Sequence, residues 1–211
     1  AEIDLGALEH NFKAIKALIP EGCKMLAPVK ANAYGHGAPL VSRKLEQLGC
    51  DMLAVACAAE AAELRQAGVS LPILCLGNTL AEYADVLFDN DVSQAVGDWE
   101  TAAALSEAAV RADVTLRVHL KLDTGMSRLG FLCAGSHFAE GVRNVSRSCE
   151  LPGLSPEGIY THFAAADEPD GDSRAYTLEQ FRLFTDVTKE VEKSTGKTFK
   201  IHHCANSGCV V

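Results

Sequence analysis

The sequence predicts an α/β protein of the (β/α)8 TIM-barrel type, in which parallel strands alternate with helices. Seven apolar, strand-like runs alternate with segments of helical spacing, a pattern typical of a parallel sheet. No glycine-rich dinucleotide fingerprint follows the first of these runs, which argues against a doubly wound sheet. A complete barrel needs eight strand–helix steps and about 250 residues. We therefore expect the barrel to lack its last strand.

The elements follow from local patterns, taken in order. Apolar residues at helical spacing between Leu5 and Ile19 predict a first helix, which Asp4 can cap and Pro20 ends. Further helices are predicted over residues 38–48, 58–67, 99–112, 135–148 and 178–195. Strands are predicted over residues 25–29, 52–56, 73–76, 92–96, 114–122, 158–161 and 199–203.

Composition limits the function before any motif is considered. With 211 residues and 48% hydrophobic content the chain can bury one sizeable core, and we expect one domain over residues 1–211. The net charge of −9 disfavours nucleic acid and anionic membranes as partners. No long uncharged apolar run and no signal peptide are visible, so we expect a cytoplasmic protein with a small-molecule partner.

The eight cysteines are scattered through apolar segments without a CxxC pair. This distribution favours reduced, buried thiols in the cytosol over a disulfide framework. A metal site formed by His202, His203, Cys204 and Cys209 is disfavoured, because their spacing matches no common zinc pattern.

Lys30 is the strongest candidate for chemistry. It follows the first predicted strand and precedes the turn residues Gly35 and Gly37. A poorly solvated amine is held more readily in its neutral, nucleophilic form, which suits covalent chemistry with a carbonyl compound. The alternative is a lysine that extends to the surface where a strand ends. Pro28 lies in the same run and marks either the end of the strand or a bulge.

Polar clusters recur after the predicted strands. They follow the first strand at Lys30 and Tyr34, the fifth at 121–130, the sixth at His162 and the seventh at 206–208. Barrels build their active sites at the carboxyl ends of their strands. Each residue alone has a structural explanation, such as a turn, a core histidine or a cap, but four clusters at equivalent positions favour an active site.

These motifs resemble the alanine racemase family of fold-type III pyridoxal-phosphate enzymes, in its N-terminal barrel domain. The blocks that carry the resemblance lie in the family's order along essentially the whole chain: 1–11, 29–37 (VKANAYGHG), 53–56, 73–77, 119–130 (with KLDTGMSRLG), 160–167 and 203–207. The resemblance implies a racemase that interconverts L- and D-alanine by two-base proton transfer at Cα and supplies D-alanine for cell-wall peptidoglycan.

The resemblance also implies residue roles. Lys30 corresponds to the lysine that holds pyridoxal 5′-phosphate covalently and then acts as a base. Arg128 corresponds to the arginine that binds the cofactor and the substrate carboxylate, and Lys121 to a lysine often carbamylated in the family. The remaining implied cofactor contacts are Tyr34 and Ser207 at the phosphate, and Leu76, His162, His203 and Asn206 around the ring.

In the family, the second base comes from the C-terminal β-domain of a partner subunit in a homodimer, and an arginine beside the pyridine nitrogen follows the eighth strand. Neither the second base nor this arginine has a counterpart within residues 1–211. We therefore expect this chain to be the cofactor-binding part of a longer protein, without the β-domain and inactive alone. We expect no nucleic acid partner, no membrane segment in this chain and no metal.

Three alternatives stay open. A serine/alanine racemase of the vancomycin-resistance type would share this domain. A fold-type III amino-acid decarboxylase would share the barrel and the lysine, but the DTGMSRLG, THFA and ANSG blocks match the racemases better. A non-catalytic pyridoxal-phosphate-binding barrel would explain the length but not the NAYGHG and KLDTGM blocks.

Overall fold

The computed structural model describes residues 2–168 and 170–210, which form two compact units. The first unit runs to Thr79 and includes Tyr83–Gln94. The second contains Leu80–Glu82 and the residues from Ala95 to Val210. The prediction of one domain over 1–211 stays a prediction.

The first unit alternates parallel strands with helices. Its elements are α1 (Leu5–Leu18), β1 (Leu26–Pro28), α2 (Lys30–Tyr34), α3 (Ala38–Gln47), β2 (Met52–Val55), α4 (Ala58–Gln66), β3 (Ile73–Cys75), α5 (Ala84–Asp89) and β4 (Val92–Val96), of which the last two residues belong to the second unit. The pairs β1–β2, β2–β3 and β3–β4 are all parallel. In the β1–β2 pair, Leu26 lies opposite Met52. Asp4 caps α1 as predicted, because its Oδ1 accepts hydrogen bonds from the backbone of Gly6 and Ala7.

The second unit repeats the alternation. Its further elements are α6 (Trp99–Arg111), β5 (Leu116–Asp123), β6 (Phe131–Leu132), α7 (Phe138–Cys149), β7 (Leu154–Tyr160), α8 (Gly171–Thr195) and β8 (Ile201–His203). β5 pairs with β7, β7 with β8 and β6 with β5, again all in parallel.

β3 and β4 are buried at every residue, and β2 and β5 at every residue but one, rather than at alternate positions. Leu53, Val55, Ile73 and Leu74 are completely buried in the first unit, and Leu120 is in the second. Continuous burial is typical of parallel strands that are covered on both faces. It explains why β2 and β3 are apolar throughout, whereas β4 and β5 also contain buried polar residues such as Gln94 and His119.

All seven predicted strands are present, and β4 has the predicted bounds. Pro28 ends β1 without a bulge, since the register with β2 is regular and the next residue, Val29, continues the ladder to Ala54 (2.8 Å). The prediction for the last helix was too short, because α8 begins at Gly171 rather than Leu178. The structure also adds α5 and the short strand β6.

The eight cysteines are free thiols, but the prediction that they are buried is correct only for Cys50, Cys75, Cys133 and Cys149; Cys204 is half-buried and the remaining three are exposed. Burial raises the pKa of Cys75 to about 11 and those of Cys133 and Cys149 to about 12. No described group of three or more His, Cys, Asp or Glu side chains is arranged to hold a metal ion. None of the helices in the described ranges is both long enough and apolar enough to cross a membrane.

Candidate active site

Lys30 lies two residues beyond the end of β1, after the buried Val29 and before a left-handed backbone turn. Val29 is 2% exposed, whereas Lys30 is half-buried and its Nζ lies 6.0 Å from the centre of the Tyr34 ring. Ala31 and the three residues after it have φ between 51° and 54°, so the backbone follows a left-handed helical turn. That conformation costs about 1–2 kcal/mol per residue for side chains other than glycine. Strain of this kind is typical of functional sites.

Hydrogen bonds from two side chains hold this left-handed turn. The Asn32 side chain accepts a bond from the backbone N–H of Ala38 at the start of α3 (2.7 Å). Glu60 on α4 accepts bonds from the N–H of Ala31 at Oε1 and of Ala56 at Oε2, both at 2.7 Å. The sequence analysis missed Glu60. Its only local signal is its place at the third residue of α4, where acidic residues often bind free backbone N–H groups.

The loop that carries Leu76 is held by a buried glutamine. Leu76 is half-buried, and its N–H donates to Val55 (2.9 Å), so that it continues the β3 ladder. Gln94 on β4 is completely buried; its Nε2 donates to the carbonyl of Gly77 (2.7 Å) and its Oε1 accepts from the Thr79 hydroxyl (2.7 Å). The position of Leu76 is therefore fixed from both sides.

In the second unit, Lys121 lies near the carboxyl end of β5, and Arg128 lies in the loop that follows β5. Lys121 is 7% exposed, and its Nζ lies 5.8 Å from the centre of the Tyr160 ring. Asp123 shapes the loop because its carboxylate accepts bonds from the backbone N–H groups of Gly125, Ser127 and Arg128 (2.9–3.1 Å). The guanidinium of Arg128 is exposed, which leaves it accessible to a ligand.

His119 and His203 form a buried pair. His119 Nδ1 lies 2.9 Å from His203 Nε2, and Tyr160 stacks on the His203 ring at 4.4 Å. Burial, with a smaller effect of the charges of His119 and His202, lowers the pKa of His203 to about 3. His203 is therefore neutral at pH 7, so that one of its ring nitrogens donates a hydrogen bond and the other accepts one.

A β-bulge in β7 places a carboxylate beside His119. The register of β5 with β7 shifts at His119, so that Glu157 is the extra residue of β7. Glu157 Oε1 lies 3.4 Å from His119 Nε2.

Gln180 on α8 joins the loop after β5 to the loop after β7. It is completely buried, and its Oε1 accepts from the N–H of Ala164 (3.0 Å) while its Nε2 donates to Thr124 Oγ1 (3.3 Å) and the carbonyl of His162 (3.5 Å). Tyr176, one helical turn earlier, donates its hydroxyl to the Gly125 carbonyl (2.8 Å). The sequence analysis missed both residues, because polar residues in a helix usually face solvent.

Asn206 and Ser207 follow β8. Asn206 Nδ2 donates to the Phe163 carbonyl (3.4 Å), whereas its buried Oδ1 has no hydrogen-bond partner within the described ranges. Ser207 is exposed and begins a 3₁₀ turn that ends at Cys209. Gly208 is required there, because a Cβ at this position would lie 2.7 Å from the backbone nitrogen of Asp167.

The predicted residues thus fall into three local groups and one separate position. Lys30 and Tyr34 share one turn, Lys121 at the end of β5 precedes the loop that carries Arg128, and His162, Asn206 and Ser207 lie on adjoining loops. Leu76 is placed independently after β3. Each residue lies at or beyond the carboxyl end of a parallel strand, and the alternation of parallel strands with helices is that of a TIM-type α/β domain.

Comparison with known proteins names the family. The family model "Alanine racemase, N-terminal domain" matches residues 3–211, so the chain belongs to the alanine racemase family through that domain. It is 41% identical over 211 residues to an alanine racemase of Clostridium perfringens, covering 100% of this chain and 52% of the relative. The chain thus spans about half the length of the curated relatives it matches.

Solved structures confirm the predicted fold class. An alanine racemase from Bacillus anthracis with bound L-Ala-P matches with a TM-score of 0.87 and 33% identity, over 99% of this chain and 52% of that one. A histidine racemase from Leuconostoc mesenteroides subsp. sake matches with a TM-score of 0.80 and 26% identity, over 98% and 52% of the two chains. The same fold therefore occurs in racemases named for different amino acids.

Proposed function

We propose that this chain is the cofactor-binding part of a pyridoxal-phosphate-dependent racemase that interconverts L- and D-alanine. The observation that carries the proposal is Lys30: a half-buried amine directly after the buried Val29, beyond the end of β1, followed by a strained left-handed turn that also places Tyr34. A solvated surface lysine needs no such turn. Membership of the alanine racemase family supports the same assignment.

The side chains suit pyridoxal 5′-phosphate in their chemistry. The amine of Lys30 can hold an aldehyde covalently, and the hydroxyl groups of Tyr34 and Ser207 can donate to a phosphate. The buried Oδ1 of Asn206 lacks a donor within the described ranges, and a ligand or water can supply it. We assign Leu76, His162 and His203 to the cofactor ring.

The chemistry needs one electron-withdrawing group and two bases. When bound to a substrate amino acid, pyridoxal phosphate makes the Cα–H acidic enough for a side-chain base to remove. We assign Lys30 as the base on one face of Cα and Arg128 as the group that binds the substrate carboxylate. The base on the opposite face belongs, in this proposal, to a C-terminal domain of a partner subunit in a homodimer.

Lys121 is proposed to be carbamylated. Its side chain is buried, with Nζ 5.8 Å from the centre of the Tyr160 ring, and the proposal is supported by the resemblance to the family, in which the corresponding lysine is often carbamylated. Carbamylation converts the ammonium into an anion that can orient Arg128. Nuclear magnetic resonance in isotope-labelled bicarbonate should show a carbamate signal that is lost in Lys121→Ala.

The proposal is tested by adding pyridoxal phosphate to the 211-residue chain and recording absorbance, with Lys30→Ala as the control. We expect an absorbance band that depends on Lys30 and no turnover by this chain alone. In the protein that also carries the C-terminal domain, turnover of L-alanine is expected to release no carbon dioxide, whereas a decarboxylase would release it from its own substrate. Absence of the band in the parent chain would refute the proposal.

The substrate is tested in the protein that carries this domain together with its C-terminal domain. We expect loss of optical rotation with L-alanine, at a higher rate than with L-serine or L-histidine. Faster turnover of L-serine would instead favour the serine/alanine racemase. The proposed cytoplasmic role is to supply D-alanine for peptidoglycan.

A further inference from the structure

The carboxylate of Glu60 spans the ends of two neighbouring strands in the first unit. Its Oε1 binds the N–H of Ala31, the residue directly after Lys30, and its Oε2 binds the N–H of Ala56, the residue directly after β2. We propose that Glu60 is a positioning residue that sets the direction of the Lys30 side chain beyond the end of β1. The inference rests on the proposed function, because it gives the reactive amine its orientation.

The geometry explains why a carboxylate is needed. Both partners are N–H donors, and an ionised carboxylate offers acceptors alone, whereas a glutamine offers one oxygen and one NH₂ group. Glu60→Gln keeps the size and shape of the side chain but places a donor against one of the two N–H groups. Aspartate is one methylene shorter, which shortens the reach from α4.

The helix that carries Glu60 is a fixed support. Ala61 and Leu64 on α4 are 0% and 1% exposed, so the helix is anchored in the core of the first unit. Glu60 itself is half-buried, which strengthens its hydrogen bonds relative to those of a fully solvated carboxylate. A rigid helix thereby holds the first residue of a strained turn.

Ala31 is the point at which this support acts. It has φ 51° and ψ 49°, which an alanine leaves readily when nothing holds it. If the Glu60 bond is lost, Ala31 can return to negative φ, and the side chains on either side of it, Lys30 and Tyr34, change direction together. Loss of Glu60 should therefore weaken both the covalent attachment of the cofactor and the contact of Tyr34 with its phosphate.

The first measurement requires no cofactor. Hydrogen exchange at the Ala31 amide is compared in the parent chain, Glu60→Gln and Glu63→Gln. Glu63 is exposed on the same helix, so its variant makes the same change of charge without touching the turn. We expect exchange at Ala31 to accelerate about tenfold or more in Glu60→Gln, as for the loss of a hydrogen bond to a charged group. We expect no acceleration in Glu63→Gln.

The second measurement follows attachment of the cofactor. Lys30 Nζ adds to the aldehyde carbon of pyridoxal phosphate and water leaves, which gives the absorbance band. The titration is repeated with pyridoxal, which lacks the phosphate. We expect Glu60→Gln to weaken attachment of pyridoxal phosphate about tenfold or more and to reduce the preference for it over pyridoxal. A purely structural defect would not change that preference.

A rescue variant separates positioning from general stability, and it also serves if Glu60→Gln folds poorly. Glycine adopts positive φ without strain, so Ala31→Gly added to Glu60→Gln should restore part of the lost affinity. Unchanged Ala31 exchange and unchanged affinity in Glu60→Gln would overturn the inference, and so would affinity that is lost but not rescued. If the parent chain itself gives no Lys30-dependent band, the proposed function fails, and the role of Glu60 toward the cofactor fails with it.

Discussion

The completely buried side chain of Gln180 offers a sharp test of how the second unit holds its loops. In Gln180→Leu, a side chain of similar size replaces one that binds the Ala164 N–H, Thr124 Oγ1 and the His162 carbonyl. A buried polar group left without a partner costs about 1–3 kcal/mol. Thr124 keeps a second partner, the Thr161 hydroxyl at 2.8 Å, and Ala164 is exposed enough to bind water. We therefore expect the free energy of unfolding to fall by about 1–2 kcal/mol.

The assay is equilibrium unfolding in urea, together with hydrogen exchange at the Ala164 amide. Glu179→Leu places the same side chain at the exposed neighbouring position and should change the free energy of unfolding by less than about 0.5 kcal/mol. Exchange at Ala164 should be faster in Gln180→Leu and unchanged in Glu179→Leu. If Gln180→Leu is as stable as the parent chain and protects Ala164 equally well, Gln180 does not hold these loops.

Three further predictions concern the buried histidines and the thiols. Gly158→Ala should destabilise the chain and separate the His119–His203 pair, because the added methyl group would overlap the His119 ring. Ring-nitrogen chemical shifts of the two histidines that stay unchanged in this variant would contradict the prediction. With a folded-state pKa of about 3, His203 stays neutral in the folded chain, whereas in the unfolded chain it takes up a proton below about pH 6.5. The free energy of unfolding should therefore fall by up to about 1.4 kcal/mol per pH unit as the pH falls from 6.5 towards 3. Urea unfolding at pH 7.5 and 5.5 should show this loss in the parent chain and a smaller one in His203→Gln. In a thiol-labelling time course at pH 8, the exposed thiols should react before the buried ones, whose pKa burial raises; the first to react should be Cys23, Cys57 and Cys209.

β2 and β3 were predictable because strands buried on both faces are apolar at nearly every position. β4 is also buried at every position and has the predicted bounds, although Ser93 and Gln94 are polar. The start of α8 has no such signal in the sequence. Its first turns carry mostly polar, exposed residues, and the helix begins at Gly171 because Asp170 binds the N–H of Ser173. The six residues of α5 are too few for a helical period to stand out.

Residue type predicted a turn after Lys30, but not the backbone conformation of that turn. The glycines at 35 and 37 indicated a turn after Lys30, and both have positive φ. Nothing in the types of Ala31 or Tyr34 favours φ near 50°, because a Cβ disfavours that region. The left-handed turn depends on a bond to Glu60, which is 29 residues from Ala31 along the chain.

Glu60 and Gln180 have one property in common, shared by Asp123, that explains why the sequence analysis missed these two residues. Each binds mainly backbone groups, and every residue except proline presents the same N–H and C=O whatever its side chain. The partner of such a residue therefore has no distinctive type, unlike a lysine that needs an aldehyde or an arginine that needs a carboxylate. Their importance follows from the strain or burial of the backbone they hold: four consecutive residues at positive φ in one case and two adjoining loops in another. A substitution that preserves every reactive side chain can consequently still disable the site, if it removes an acceptor that a strained backbone requires.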